Sequence, residues 1–307
     1  MSCYVLFDIF KSVFKMVHLN GAVAWMTMKS PKDKPLKNVA KQYVLKGEKY
    51  NFGGPIYHND DAYWVIYYSK GGMFKKPTPT CLLVLDENHS IITNKDIYNK
   101  VALTFLYPRP TSEFLKVYTD EMKEISVVQK FFSRPEKYVG RVNISELKNE
   151  IPDQLKETSA ILGEIIGQSS RIEEVSSKLL EIMNKSVSDI KKLTKKLRWE
   201  NMENFVKNVV FNEYKLLTKL LNAFNERSIL LKKLVATLES LSNQERSIGK
   251  IHLLLRDAKT EIVALERLNV YFEEIIKIRE ELKAVCEESQ EMLEKFFNEM
   301  INRISSS

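Results

Sequence analysis

Four consecutive residues, His58-Asn59-Asp60-Asp61, place an imidazole beside two carboxylates. Nitrogen and carboxylate donors of these types can hold a divalent cation. The same residues also build ordinary hairpin turns, because Asn and Asp tolerate left-handed backbone angles, and the turn is the preferred reading. A second set mixes cations with aromatic rings. Lys29 and Lys32, then Lys34, Lys37, Lys41, Lys46 and Lys49 stand beside Tyr50, with Lys75 and Lys76 further on and Tyr57, Tyr63 and Trp64 between. Basic side chains with interleaved aromatics can follow a nucleic-acid backbone or meet an anionic surface. Lysine is also the common solubilising residue, and a net charge of +7 is modest.

Other chemistry finds little support. The chain has no G-x-x-x-x-G-K-[ST], G-x-G-x-x-G, H-E-x-x-H or G-x-S-x-G motif. Its 4 histidines are few for ligand or general-base sets, and no Glu-x-x-His pair suits a di-iron site. His252, in a leucine-rich stretch, reads as a partly buried helix residue. The 3 cysteines (Cys3, Cys81 and Cys286) are far apart and read as small buried hydrophobes in a reducing compartment, the cytoplasm. No catalytic residue and no cofactor are expected. Scarce glutamine and lysine in excess of arginine fit a thermophilic source. No run of about 18 uncharged apolar residues is long enough to span a membrane.

The elements that would position these groups fall into two halves. All 9 prolines lie at or before Pro152, and only Gly163, Gly167 and Gly249 of the 10 glycines come after it. Proline inside a helix costs about 3 kcal/mol or more, so the proline-free stretch suits long uninterrupted helices. The whole net charge of +7 lies before residue 153. These shifts predict domains at 1–28, 29–150 and 151–307. Residues 1–28 read as an amphipathic helix, with Phe7, Phe10, Phe14 and Val17 on one side. That helix packs on the sheet or, through residues 4–17, touches a membrane surface; Met26 or Met28 is an alternative start.

In the basic half, Leu36, Val39, Ala40, Tyr43 and Val44 mark a short helix, and Gly53-Gly54-Pro55 reads as a chain break. Strands follow at Ile56-Tyr57, Ala62 to Tyr68, Thr80 to Leu85 and Ser90 to Thr93. The helix, the run Tyr63-Trp64-Val65-Ile66-Tyr67-Tyr68, the strand Leu83-Val84-Leu85 with Asp86 in the next turn, and Ile91-Ile92 together resemble a PepSY-type unit over residues 40–92. His89-Ser90 stands where that family usually has glycine in its last turn. The resemblance implies a small protein-interaction or inhibitory module.

In the second half, apolar residues recur at three- and four-residue steps. One stripe joins Ile172, Val175, Leu179, Ile182, Ile190, Leu193 and Leu197. A second joins Leu217, Leu221, Phe224, Leu231, Val235 and Leu238. A third joins Phe272, Ile275, Leu282, Cys286, Leu293, Phe296 and Met300, with Arg279 and Ser289 interrupting it. Breaks are expected at Ser242–Gly249 and, as a turn or a stutter, at Arg198–Asn204. The fold class that results is α+β: a small N-terminal antiparallel sheet with a covering helix, then a long antiparallel helical bundle or coiled coil. Residues 153–307 are expected to fold by themselves. The function that follows is a non-enzymatic interaction or assembly protein, with a protein partner or self-association through the helical half. Nucleic-acid or anionic-membrane-surface binding by the basic half is the alternative.

Overall fold

A computed structural model of the protein describes residues 34–70, 79–133, 152–244 and 249–307. Residues 1–28, with the stretch 4–17, and Lys75 and Lys76 lie outside them. The described elements are α1 (Lys34–Gln42), β1 (Glu48–His58), β2 (Asp61–Lys70), β3 (Pro79–Leu85), α2 (Lys95–Leu106), α3 (Ser112–Phe132), α4 (Pro152–Leu193), α5 (Trp199–Phe205), a π-helical segment (Val206–Asn212), α6 (Glu213–Gln244) and α7 (Gly249–Ser305). The expected α+β class, a three-stranded antiparallel sheet followed by a helical bundle, is what the chain forms. No described helix is long and apolar enough to cross a membrane.

The strands lie in the order β1-β2-β3, both pairs antiparallel. His58 pairs with Asp61 across a two-residue turn in which Asn59 and Asp60 have φ of 49° and 70°. Asn and Asp accept that left-handed conformation more readily than other side chains, and it matches the strand twist. Gly53-Gly54-Pro55 does not break the chain. β1 runs through it with a register shift between Gly53 and Ile56. Glycine is required there for space: a Cβ on Gly53 would come within 2.6 Å of the Phe105 ring, and Gly54 has φ +119°. The expected fourth strand at Ser90–Thr93 reduces to a single bridge, Leu85 to Ile91.

Successive side chains of β2 point to opposite faces, and both faces are covered. On one, the Tyr68 hydroxyl donates to the Ala40 carbonyl of α1 at 2.9 Å, and the Arg303 guanidinium lies 4.7 Å from the Tyr68 ring centre. On the other, the Tyr67 ring meets Phe105 of α2 at 5.2 Å. Helices α2 and α3 follow the sheet, beyond the elements expected from the sequence. Asn94 starts α2, its Oδ1 accepting from the Asp96 and Ile97 amides, and the Thr111 hydroxyl caps the Phe114 amide of α3.

Contacts gather the described residues into two compact units. One comprises those of Met1–Thr119, Lys185–Phe211 and Glu280–Ser307; the other comprises Asp120–Asn184 and Asn212–Arg279. The units cut across the spans 29–150 and 151–307, because α3, α4 and α7 each contribute a segment to both.

Each long helix carries an unbroken seam of alternating three- and four-residue steps. In α7 it runs from Ile251 through Ala258, Leu265, Phe272, Leu282 and Leu293 to Arg303, and all its members except half-buried Leu268 are buried. Arg279 and Ser289, the apparent interruptions, are seam members at 1% and 2% exposure. In α6 the seam is Glu213, Leu217, Leu220, Phe224, Arg227, Leu231, Leu234, Leu238 and Leu241. Leu221 and Val235 of the second expected stripe are only half-buried; Leu220 and Leu234 take their places. In the first stripe Met183 likewise replaces Ile182. The chain turns at 194–198, just before the expected position. The π-helical segment then buries Val206, Val209 and Val210 ahead of Glu213.

Within the unit formed by Asp120–Asn184 and Asn212–Arg279, the seams meet through aromatic and ionic contacts. Phe224 touches Phe132 at 6.2 Å and Phe272 at 5.5 Å. Arg227, 1% exposed, donates to Glu261 at 2.5 Å, to the Ile165 carbonyl at 2.6 Å and to Ser169 at 2.8 Å. Arg279 donates to Glu121 at 2.6 Å and lies 3.5 Å from Glu213. The pairs Arg227–Glu261, Phe224–Phe272 and Glu213–Arg279 run in opposite sequence order on α6 and α7, so these helices are antiparallel.

Candidate functional site

The lysines expected to form a binding surface divide between elements. Lys34, Lys37 and Lys41 follow one another on the exposed side of α1, whose other side buries Leu36 and Ala40 against the sheet. Steps of three and four residues make them neighbours along one helix face. Lys46, in the turn after α1, and Lys49, on β1, are exposed as well. Lys49 pairs with Ser69 and Tyr50 with Tyr68, so these two side chains leave opposite faces of the sheet. Among the described residues none of the five lysines makes an ion pair.

The aromatic partners are taken up by the fold. The half-buried Tyr50 ring sits edge-on to Phe52 at 5.7 Å, and Tyr63 is buried. Lys196 Nζ lies 3.5 Å from the Tyr57 ring centre, and Trp64 meets His89 at 6.0 Å. What the structure brings together is the lysine row of α1, with no base-stacking platform beside it among the described residues.

The His58 cluster forms the β1–β2 turn and contacts residues 197–200. His58 is buried at 8% exposure, its Nδ1 3.1 Å from Glu200 Oε1 and its Nε2 3.3 Å from the Asn59 amide nitrogen. The Asn59 backbone N–H donates to the same Glu200 oxygen at 3.0 Å, and the Tyr57 N–H donates to the Leu197 carbonyl at 2.9 Å. Asp60 forms an ion pair with Arg198, while Asp61 is exposed. The donors that a cation would need are thus engaged in holding the β1–β2 turn against residues 197–200. Burial pushes the Glu200 carboxyl up, but the Asn59 amide, its own amide and His58 together hold it below the ordinary carboxylate value. Among the described residues, no group of three or more His, Cys, Asp or Glu side chains is arranged to hold a metal ion. Glu200 lies 142 residues from His58, and nothing in the local sequence of either points to the other.

The two described thiols, Cys81 and Cys286, are buried, and burial pushes both up to about 12. The nucleophilic thiolate is therefore scarce at neutral pH. His252 stands exposed on α7 rather than partly buried.

Arg303 closes the sheet side of the same unit. It is 6% exposed and holds Glu48 in a two-pronged pair, both bonds at 2.9 Å, while Nη1 also donates to the Tyr43 carbonyl at 2.8 Å. Burial raises the Glu48 carboxyl, yet the Arg303 guanidinium and the Thr80 hydroxyl leave it below its ordinary value. No protein-family model, no curated protein and no solved structure matches this chain.

Proposed function

We propose that this chain is a non-enzymatic interaction or assembly protein, with its recognition surface on the sheet-containing unit. The observation that carries the reading is the use made of the reactive side chains. His58 is matched to Glu200, Arg227 to Glu261, Arg279 to Glu121 and Glu213, and Arg303 to Glu48. Such pairs hold elements in register. Among the described residues the lysines of α1 make no ion pair, and their row on one helix face suits an acidic protein partner. The helix seams are filled from within the chain, so self-association would use the outer helix faces. Buried free thiols fit a reducing compartment such as the cytoplasm.

The test is affinity capture with the native chain and with the triple variant K34E/K37E/K41E, whose substitutions lie on the exposed face of α1. A stoichiometric protein partner should stay with the native chain and be lost by the variant, while the thermal melt is unchanged. A partner held equally by both forms would remove the surface assignment. The lysine row, unpaired among the described residues, also favours a second reading, binding to nucleic acid or an anionic membrane surface. That reading takes over if the native chain retains DNA, RNA or anionic vesicles in a steeply salt-dependent way and the triple variant does not.

A further inference from the structure

Among the described residues of the sheet-containing unit, Leu45 is the one large apolar side chain that is exposed, at 50%. It stands in the turn between α1 and β1, within a stretch that is basic throughout. Residues 34–47 hold Lys34, Lys37, Lys41 and Lys46 and no aspartate or glutamate. These lysines are exposed. The first carboxylate after them, Glu48, is turned inward: its side chain is 6% exposed and Arg303 holds it in two bonds of 2.9 Å. The stretch therefore shows solvent a cationic surface with one leucine in it.

The support beneath it is fixed. Helix α1 buries Leu36 and Ala40; the Ala40 carbonyl accepts from the Tyr68 hydroxyl at 2.9 Å, and the Tyr43 carbonyl accepts from Arg303 at 2.8 Å. The Glu48 N–H closes the turn by donating to the Leu45 carbonyl at 3.1 Å, and Gly47 supplies the φ of +84° inside it. Lysines alone would suit any polyanion. A nucleic acid would stack its bases on aromatic rings, but Tyr50, Tyr57 and Trp64 are engaged with Phe52, Lys196 and His89. A leucine among lysines matches a surface that is anionic outside and apolar just beneath, as a bilayer is. We propose that Lys34, Lys37, Lys41 and Lys46 bind the headgroups of an anionic lipid bilayer while Leu45 enters its acyl boundary. The inference rests on the second reading of the lysine row and deepens it; the protein reading is tested by capture, this one by lipid.

The experiment is co-sedimentation of the full chain with phosphatidylcholine vesicles, with and without phosphatidylserine, at low and high salt. The native chain should be held by the phosphatidylserine vesicles alone, and less as salt rises. K34E/K37E/K41E should bind at least about tenfold more weakly. L45Q should lose about threefold or more. L45W should bind more tightly than the native chain, and its emission should shift to the blue on anionic vesicles by more than the native emission does. No retention of the native chain at low salt would overturn the proposal while leaving protein capture, the test of the first reading, unaffected. Equal retention of the native chain and L45Q would overturn it, as would L45W emission that vesicles leave unchanged. Tighter binding to duplex DNA or RNA than to the vesicles would assign the row to nucleic acid and overturn it too. Should L45Q melt below the native chain, the L45W emission decides.

Discussion

Arg227 occupies a seam position where an apolar side chain of similar length would pack. Its guanidinium is satisfied by Glu261, Ser169 and the Ile165 carbonyl, and it lies 4.9 Å from the centre of the Phe132 ring. A buried pair of this kind contributes little net stability, because desolvation offsets the attraction, yet breaking it strands a charge. Glu261→Leu should therefore lower stability by about 3–5 kcal/mol, read from the urea midpoint. The double variant R227M/E261L should recover most of that loss. Equal losses in the single and double variants would mean that the two residues do not act as a pair. This residue-scale design was not legible in the sequence. A charge on a helix says only that it is hydrated or paired, and the partner is 34 residues away in the next helix. At the His58 cluster the turn is legible in Asn59 and Asp60, whereas Glu200, which holds His58, is not.

At the scale of elements, the helices are long because nothing interrupts them, and their seams repeat because each must cover an apolar face. That periodicity was readable. What displaced the expected second stripe by one residue was the exclusion of polar residues from the seam. With Arg227 left out, Leu221 and Val235 continue the apolar spacing as well as Leu220 and Leu234 do. The structure separates them by burial: Leu220 is fully buried and Leu221 half-buried. Leu220→Ala should accordingly cost about 2–5 kcal/mol, and Leu221→Ala less than about half as much, in paired denaturant titrations. Equal costs would restore the apolar stripe as the packing surface. The seam of α3, from Phe114 through Tyr118, Glu121, Ile125 and Val128 to Phe132, has the same form and was overlooked because it lies among the prolines of the basic half. The passage of β1 through Gly53-Gly54-Pro55 was hidden for a different reason. Glycine and proline signal a break from local backbone preference, whereas here glycine answers the approach of Phe105, which is remote in sequence.

For the whole molecule, the proline boundary at 152 marks where long helices become possible without marking where packing stops. The helices beyond it bury polar groups whose partners lie before it. Arg279 takes Glu121 of α3, Phe224 takes Phe132, and in the other unit Arg303 takes Glu48 and Tyr68. Residues 153–307 alone would lack Glu121 and Glu48, leaving Arg279 with Glu213 at 3.5 Å and Arg303 with Glu299 at 3.1 Å. Breaking a buried ion pair costs up to about 3–5 kcal/mol, less where a second carboxylate stays or water enters, against about 5–15 kcal/mol for the whole stability of a typical domain. Exposed apolar surface where Phe132 and Tyr68 had packed adds to it. The fragment 153–307 should therefore keep some helix by circular dichroism but lose the cooperative melt of the full chain. Because the deficit is specific, E121Q and E48Q introduced into the full chain should each lower its midpoint. A fragment that melts cooperatively at the temperature of the full chain would show that the helices beyond residue 152 cover themselves, and that the pairs reaching back to Glu121 and Glu48 are dispensable.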